Sequence, residues 1–275
     1  MNNPGNTPIM YLDYWNLKQK PFENTPDPDF FYFSPEHEEA YIRFKYAISE
    51  NKGAILLTGD YGCGKTTLIR LLVSELDPER FRVAILNHPR GDINDLLKAI
   101  LIEFEEPPES SIFKTNSTDA IERRIGERLI TSFEENTTTL LIIDEAQLLK
   151  DDHIFEEIRL LLNFQLNDRF LINIFLVGQP ELRDYINKLP QFEQRLYCKY
   201  HLHVLDSNET TNYINHRLTV AGTDRTIFTL EAIKLIHQNS HGIPRRINNI
   251  CDLSLLFGSS QKVEMIDTDI IQSVL

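Results

Sequence analysis

A chain of 275 residues with 41% apolar composition has material for one sizeable core and a small satellite domain, but not for a multidomain assembly. Its 41 acidic against 28 basic residues give a formal net charge of −13, which argues against long-range attraction to nucleic acid or an anionic membrane as the main driver of function. Local basic patches are compatible with that balance, and an oligomer could gather residues such as Lys199, Arg217 and Arg225 into a basic ring.

The opening residues MNNPGNTPIM lack a basic stretch followed by an apolar core, so no export leader is expected. No uninterrupted apolar run approaches the ~20 residues that a spanning helix needs, and direct membrane insertion is not expected. Residues 11–34, rich in aromatics and prolines (YLDYWNLKQKPFENTPDPDFFYFS), read as an extended, irregular segment that clasps the core or walls an adenine pocket. Its rings are interspersed with more acidic than basic residues, Asp13, Glu23, Asp27 and Asp29 against Lys18 and Lys20, which argues against a surface that stacks on single-stranded nucleic acid. Ser34 and Pro35, before an acidic first turn, predict a helix over about 35–51 that stops near Gly53.

Beyond it, apolar runs at 54–58 (AILLT), 82–86 (RVAIL), 139–143 (TLLII), 171–177 (LINIFLV) and 200–204 (YHLHV) alternate with helical periodicity over 65–76, 93–104, 119–135, 154–165 and 181–187. That alternation predicts an α/β fold, a parallel sheet wrapped by helices, over 35–205. After Leu205 the strands stop. Helical segments near 208–221, 229–240, 244–259 and 267–275, opened by Asn208, Thr229, Pro244 and Thr268, predict a small all-helical domain over 206–275. Cys63, Cys198 and Cys251 form no CxxC pair and are odd in number, which argues against a disulfide framework and for a reducing cytoplasm. His201 and His203 share one face of a predicted strand, but Cys198 faces the other way and no fourth ligand adjoins, so a zinc site is not expected.

The chemistry concentrates in two motifs. GDYGCGKT, Gly59 to Thr66, satisfies GxxxxGK[ST] between a strand and a helix. Backbone N–H groups of Tyr61, Gly62, Cys63, Gly64, Lys65, Thr66 and Thr67 would cradle the α- and β-phosphates at the positive end of the helix dipole, with Gly59, Gly62 and Gly64 permitting close approach. Lys65 would reach the β- and γ-phosphates and the Thr66 hydroxyl would ligate Mg²⁺. In LLIIDEAQ, residues 140–147, the apolar run predicts a strand buried on both faces and able to adjoin the P-loop strand. Asp144 at its carboxyl end would complete the Mg²⁺ shell, and Glu145 would act as general base.

Three positions would complete a hydrolysis site. Gln179, after the LINIFLV strand, either aims its amide at the γ-phosphate and water or is a turn residue before Pro180. Arg195, in QFEQRLYCK, is either an arginine finger or a surface arginine. Arg245, in the first turn of a helix opened by GIPRR, either turns back to a bound phosphate or solvates that helix.

These motifs, with YLDYWNLKQKPFENTPDPDFFYFSPEHEEA, LRDYINKLPQFEQR and HGIPRRINNICDLSLL, resemble the ExeA/GspA general-secretion ATPases of the AAA+ superfamily, to which the pilus ATPase MshM and exosortase-associated ATPases are similar. The resemblance implies a P-loop core with a helical lid, a sensor-1 position at Gln179, an arginine finger at Arg195 that serves a neighbour's site, and a sensor-2 arginine at Arg245. It also implies that residues 1–34 fold against the nucleotide site. ExeA continues beyond its ATPase region into a membrane span and a peptidoglycan-binding domain, which are not expected in this sequence, so direct cell-wall binding is not carried over as an expectation. The expectation is a cytoplasmic ATPase that self-associates with ATP and acts on a secretion, pilus or envelope-export complex, peripheral to the inner membrane through a partner. A DNA-associated regulator of transposition, like the more distant relatives TnsC and TniB, and a nucleotide-gated switch with little turnover are the rival expectations.

Overall fold

The computed structural model describes residues 10–25, 27–107, 109–166 and 169–275. The MNNPGNTPI stretch read for a leader, and the start of the expected N-terminal segment, lie outside the described residues. The chain divides into two compact units. A helical unit unites the chain up to Ser34 with Tyr61–Thr67 and His203–Leu275, and an α/β unit comprises Pro35–Asp60 and Leu68–Leu202.

In chain order the elements begin with α1 (Met10–Trp15), α2 (Pro35–Ser49), β1 (Ala54–Gly59), α3 (Lys65–Ser74), β2 (Phe81–Asn87), α4 (Ile93–Glu103) and α5 (Thr118–Glu134). There follow β3 (Thr138–Asp144), α6 (Asp152–Leu161), β4 (Gln165–Leu166), β5 (Arg169–Phe170), β6 (Ile172–Gly178), α7 (Pro180–Ile186), α8 (Pro190–Glu193) and β7 (Leu196–Leu202). The chain closes with α9 (Ser207–Val220), α10 (Leu230–Ser240), α11 (Pro244–Gln261) and α12 (Thr268–Val274).

The α/β unit carries a parallel sheet in the order β2-β3-β6-β1-β7, as the alternating pattern predicts. The apolar runs explain the middle of that order. Every residue of β1 and β6 is buried, and β3 is buried at all but its ends, because helices cover both faces of a central parallel strand. β2 and β7 hold the edges and are less completely buried than the central strands, with Asn87 exposed at the end of β2 and Tyr197 and Lys199 exposed in β7. One expectation fails here: β3 does not adjoin β1, because β6 runs between them, with Leu141 and Leu56 on opposite sides of β6 in register with Ile174 and Leu176. Asn173, a polar residue buried in β6, explains how that strand is fixed. Its side chain accepts the N–H of Gly53 at 3.1 Å and donates to Asn51 at 2.9 Å, pinning the turn that enters β1.

The fifth strand starts four residues earlier than its apolar run suggests, at Leu196, because an edge strand tolerates exposed polar side chains such as Lys199. It also ends at Leu202, so His203 lies beyond it and does not share a strand face with His201. The helix expected to reach 165 stops at Leu161, and the small antiparallel hairpin of β4 and β5 follows.

The helical unit has its own core. Residues 10–15, read as irregular, form α1, and Trp15 is fully buried there with its indole N–H donating to the Leu255 carbonyl at 2.9 Å. Phe22 and Phe30 from the following segment enter the same core beside Ile214, Ile247 and Leu255. A capping box of Asp206 and Glu209 opens α9 and Asp267 caps α12, each just upstream of the residue expected, whereas Thr229 caps α10 as expected. Arg217 does not belong to any basic ring: it is 7% exposed, and its guanidinium lies over Phe30 and bonds the carbonyls of Pro21 and Glu23. Lys199 is ion-paired with Glu193, and Arg225 lies over Trp15 and donates to the Glu264 carbonyl.

Candidate functional site

The glycine-rich motif leaves β1 at Gly59 and enters α3 at Lys65, the strand-loop-helix context that a phosphate cradle requires. Gly62 and Gly64 hold φ values of +83° and +99°, in the left-handed region that glycine tolerates. A Cβ on Gly62 would come within 3.0 Å of the Arg245 Cβ and 3.2 Å of Ile243, so its bare backbone also admits the first turn of α11. The Arg245 guanidinium lies 5.5 Å from the centre of the Tyr61 ring, which is 61% exposed. Cys63 and Lys65 are buried, and the Lys65 Nζ approaches the Cys63 Sγ at 3.9 Å. Residues 61–67 of the loop read as a phosphate cradle and the arginine read as its sensor therefore fall together inside the helical unit, while Gly59 and Asp60 belong to the α/β unit.

In the α/β unit the strand ends bring a second group together. β3 finishes at Asp144, whose Oδ1 accepts the N–H of Glu145 at 2.9 Å. Glu145 itself sits at φ 55°, ψ 35°, a left-handed conformation that turns the chain sharply out of the strand into a 3₁₀ turn over Ala146–Leu148. The Gln147 amide donates to Glu145 Oε2, and the Gln179 Nε2 donates to the same oxygen at 3.4 Å. Gln147 Oε1 accepts the backbone N–H of Gln179 at 3.1 Å. Gln179 precedes Pro180 and occupies the cap position of α7 without capping it by its side chain, which is engaged with Glu145 instead. β6 thus places Gln179 beside the end of β3, which is the consequence of its position between β1 and β3. On the other side, register puts Asn87 at the end of β2 opposite Asp144.

Arg195 is not in that group. It immediately precedes β7, whose Leu196 pairs with Ala54 while Leu202 pairs with Gly59, so it lies at the amino-terminal end of the sheet. At ~3.3 Å per residue along the strand, that end is roughly 20 Å from the carboxyl ends where Asp144 and Gly178 lie. Its Nη2 donates to Asn163 at 3.2 Å.

Sequence reasoning named Asp144, Glu145 and Gln179 but gave no role to Gln147 or Asn87. For Gln147 the signal was present in the motif, since a side chain two residues past a strand-terminal carboxylate can return to it through a tight turn. Thr66 and Asp144 are a hydroxyl and a carboxylate, the hard oxygen donors that suit Mg²⁺. Among the described residues no group of three or more His, Cys, Asp and Glu is placed to hold a metal ion. His201 is engaged with the Thr58 hydroxyl at 2.9 Å.

The AAA domain family matches residues 48–186. The chain is similar to general secretion pathway protein A of Aeromonas hydrophila, 35% identical over 249 residues, which cover 90% of this chain and 44% of that protein. It thus spans less than half the length of that relative. Among solved structures, the Aeropyrum pernix ORC2 protein superposes with a TM-score of 0.67 at 17% identity, covering 94% of this chain and 71% of that one. Drosophila ORC bound to DNA gives a TM-score of 0.70 at 15% identity, covering 100% and 69%. At such identities the structural likeness establishes the fold alone, a P-loop nucleotide-binding core followed by helices. Motif, sheet order and sequence match converge, and the chain belongs to the AAA domain family, related to general secretion pathway protein A.

Proposed function

We propose that this chain binds ATP with Mg²⁺ and hydrolyses it as an oligomer, with 1–34 as an N-terminal segment packing near the nucleotide site, 35–205 as the ATPase core and 206–275 as its lid. The observation that carries hydrolysis, beyond binding, is the Glu145 carboxylate set immediately after Asp144 and bonded by the amide of Gln179.

In this reading the loop N–H groups of residues 61–67 hold the phosphates and Lys65 reaches the β- and γ-phosphates. Thr66 and Asp144 hold Mg²⁺, which supplies charge neutralisation at the phosphate oxygens when bound. Glu145 takes a proton from the attacking water. The water oxygen bonds to the γ-phosphorus as the bond to the β–γ bridging oxygen breaks, and ADP and inorganic phosphate leave. Gln179 orients that water, and Arg245 meets the γ-phosphate from the first turn of α11. Arg195, at the far end of its own sheet, serves the site of a neighbouring copy, which makes the oligomer part of the catalyst.

The work done is the assembly or remodelling of a secretion, pilus or envelope-export complex, a reading supported by the relative's name and confined to the portion the two chains share. No helix among the described residues is long and apolar enough to cross a membrane. Attachment to the inner membrane through a partner, on the cytoplasmic side, is part of the proposal. A DNA-associated role loses support because Arg217 is buried, and a switch without turnover loses it because Glu145 is present.

Glu145→Gln should retain nucleotide affinity and lose hydrolysis by about 10²–10⁴-fold. Arg195→Ala and Lys65→Ala, each inactive alone, should partly restore hydrolysis when mixed, with subunit exchange followed by size measurement. Wild-type turnover by Glu145→Gln removes the base. Mixed oligomers without recovered activity remove the shared site.

A further inference from the structure

A carboxylate at the end of a strand is a poor base if it is free to swing, and the surroundings of Glu145 address that problem through one residue. The two ends of the Gln147 amide do different things: Nε2 donates to Glu145 Oε2, and Oε1 accepts the backbone N–H of Gln179 at 3.1 Å. The amide therefore spans from the turn after β3 to the end of β6. It fits there because residue 178 is glycine, where a Cβ would stand 2.7 Å from Gln147 Oε1. Gln179 Nε2 adds a weaker bond at 3.4 Å to the same Oε2, so both donors load one oxygen of the carboxylate.

From this geometry we infer that Gln147 is a positioning residue for hydrolysis: its amide ties the Glu145 carboxylate to the backbone of Gln179, so that proton acceptance falls to Oε1. The inference rests on the reading of Glu145 as the base. It goes beyond that reading in making the base, the bridging amide and Gln179 a single unit whose parts shift together. A bond addressed to one oxygen restricts rotation of the carboxylate, and small misplacements of a base are costly in rate while leaving phosphate binding alone.

The test is Gln147→Met, which keeps length and shape and removes both polar ends, assayed for kcat, ATP affinity and melting temperature beside Glu145→Gln and the double variant. The expected result is a ten- to hundredfold fall in kcat with ATP Kd unchanged within twofold, and no further fall when Gln147→Met is added to Glu145→Gln, because the tie then has no base to align. If Gln147→Met fails to fold, Gln147→Ala is read by the same measures. A wild-type kcat for Gln147→Met beside an inactive Glu145→Gln overturns the positioning role and leaves the base standing. Equal losses of kcat in both backgrounds, or loss of affinity and stability with kcat intact, also overturn it by making the amide a structural clasp. Turnover by Glu145→Gln itself overturns the underlying reading, which the single variant identifies separately.

Discussion

Two polar clusters, one in each unit, solve the problem of partly buried charge in opposite ways. At the strand ends of the α/β unit, Glu145 is met by the side-chain amides of Gln147 and Gln179, both on one carboxylate oxygen. In the helical unit the Arg217 guanidinium is met by fixed partners, the carbonyls of Pro21 and Glu23, the Tyr213 hydroxyl at 2.9 Å and the faces of Phe30 and Tyr213. Tyr213 passes the network on to Asn248 at 2.8 Å, and Asn248 bonds Asn24 at 3.1 Å. In the proposed reading the first arrangement leaves the other oxygen of Glu145 for the attacking water. The second holds the backbone at Pro21 and Glu23 and the ring of Phe30 to helices that could not retain them through backbone pairing.

The comparison breaks most sharply at Arg217. Arg217→Ala removes several charge-assisted bonds from a site that is 7% exposed and orphans the carbonyls it served, which should cost about 3 kcal/mol of stability. Chemical denaturation measures it. Arg217→Lys should recover little, because an ammonium cannot span two carbonyls and a hydroxyl in the plane of a guanidinium. A loss below about 0.5 kcal/mol would mean that the aromatic packing of Trp15, Phe22 and Phe30 suffices to hold the segment.

A second carboxylate sharpens the contrast by lacking such donors. Glu122 on α5 has its pKa pushed up to about 7, first by its hydrogen bond to the Glu157 carboxyl of α6, then by burial and by the charges of Glu157 and Asp119. A carboxyl whose folded pKa exceeds its unfolded value binds a proton more tightly when folded, so its stabilising effect is complete below the unfolded value near 4.5 and is lost as pH rises through about 7. Stability should therefore fall between those limits, and Glu122→Gln should flatten that slope and gain about 1 kcal/mol at pH 8, after allowance for solvent screening. Denaturation midpoints across that range decide it; an unchanged slope in Glu122→Gln assigns the pH dependence to other groups.

What the sequence makes legible follows from where its physics is local. The glycines of 59–64 and the run LLIIDEAQ are read correctly as loop and buried strand because backbone conformation and two-faced burial are imposed by neighbouring residues. The position of β6 between β1 and β3 is not readable, since both strands are apolar runs and nothing in either selects its partner. The early start of β7 escapes for the converse reason, that an edge strand needs no continuous apolar run. Arg217 reads as a surface cation because its partners are backbone carbonyls nearly two hundred residues away, which leave no mark in composition. Gln147 was visible as a letter in a motif, but its bond to the end of β6 requires the strand order to be known.

The smallest expected effect concerns the phosphate loop itself. Tyr61 spends an exposed ring at a position where any residue could supply the amide, and the Arg245 guanidinium lies over that ring at 5.5 Å while the Arg245 stem packs on Gly62. A cation–π contact at an exposed site contributes about 0.5–1 kcal/mol, a factor of two to five in an equilibrium constant. If Arg245 meets the γ-phosphate, Tyr61→Leu should weaken ATP by that factor and leave ADP almost untouched, whereas general distortion of the loop would weaken both. Tyr61→Phe keeps the ring and should restore the discrimination that Tyr61→Leu loses. Titrations of ATP and ADP into each variant supply the ratio, and repeating them in an Arg245→Ala background locates its origin. There Tyr61→Leu should change nothing further. A loss of ATP affinity that persists without Arg245 would place the ring against the nucleotide, and the link between the loop and the first turn of α11 would then rest on Gly62 and Ile243 alone.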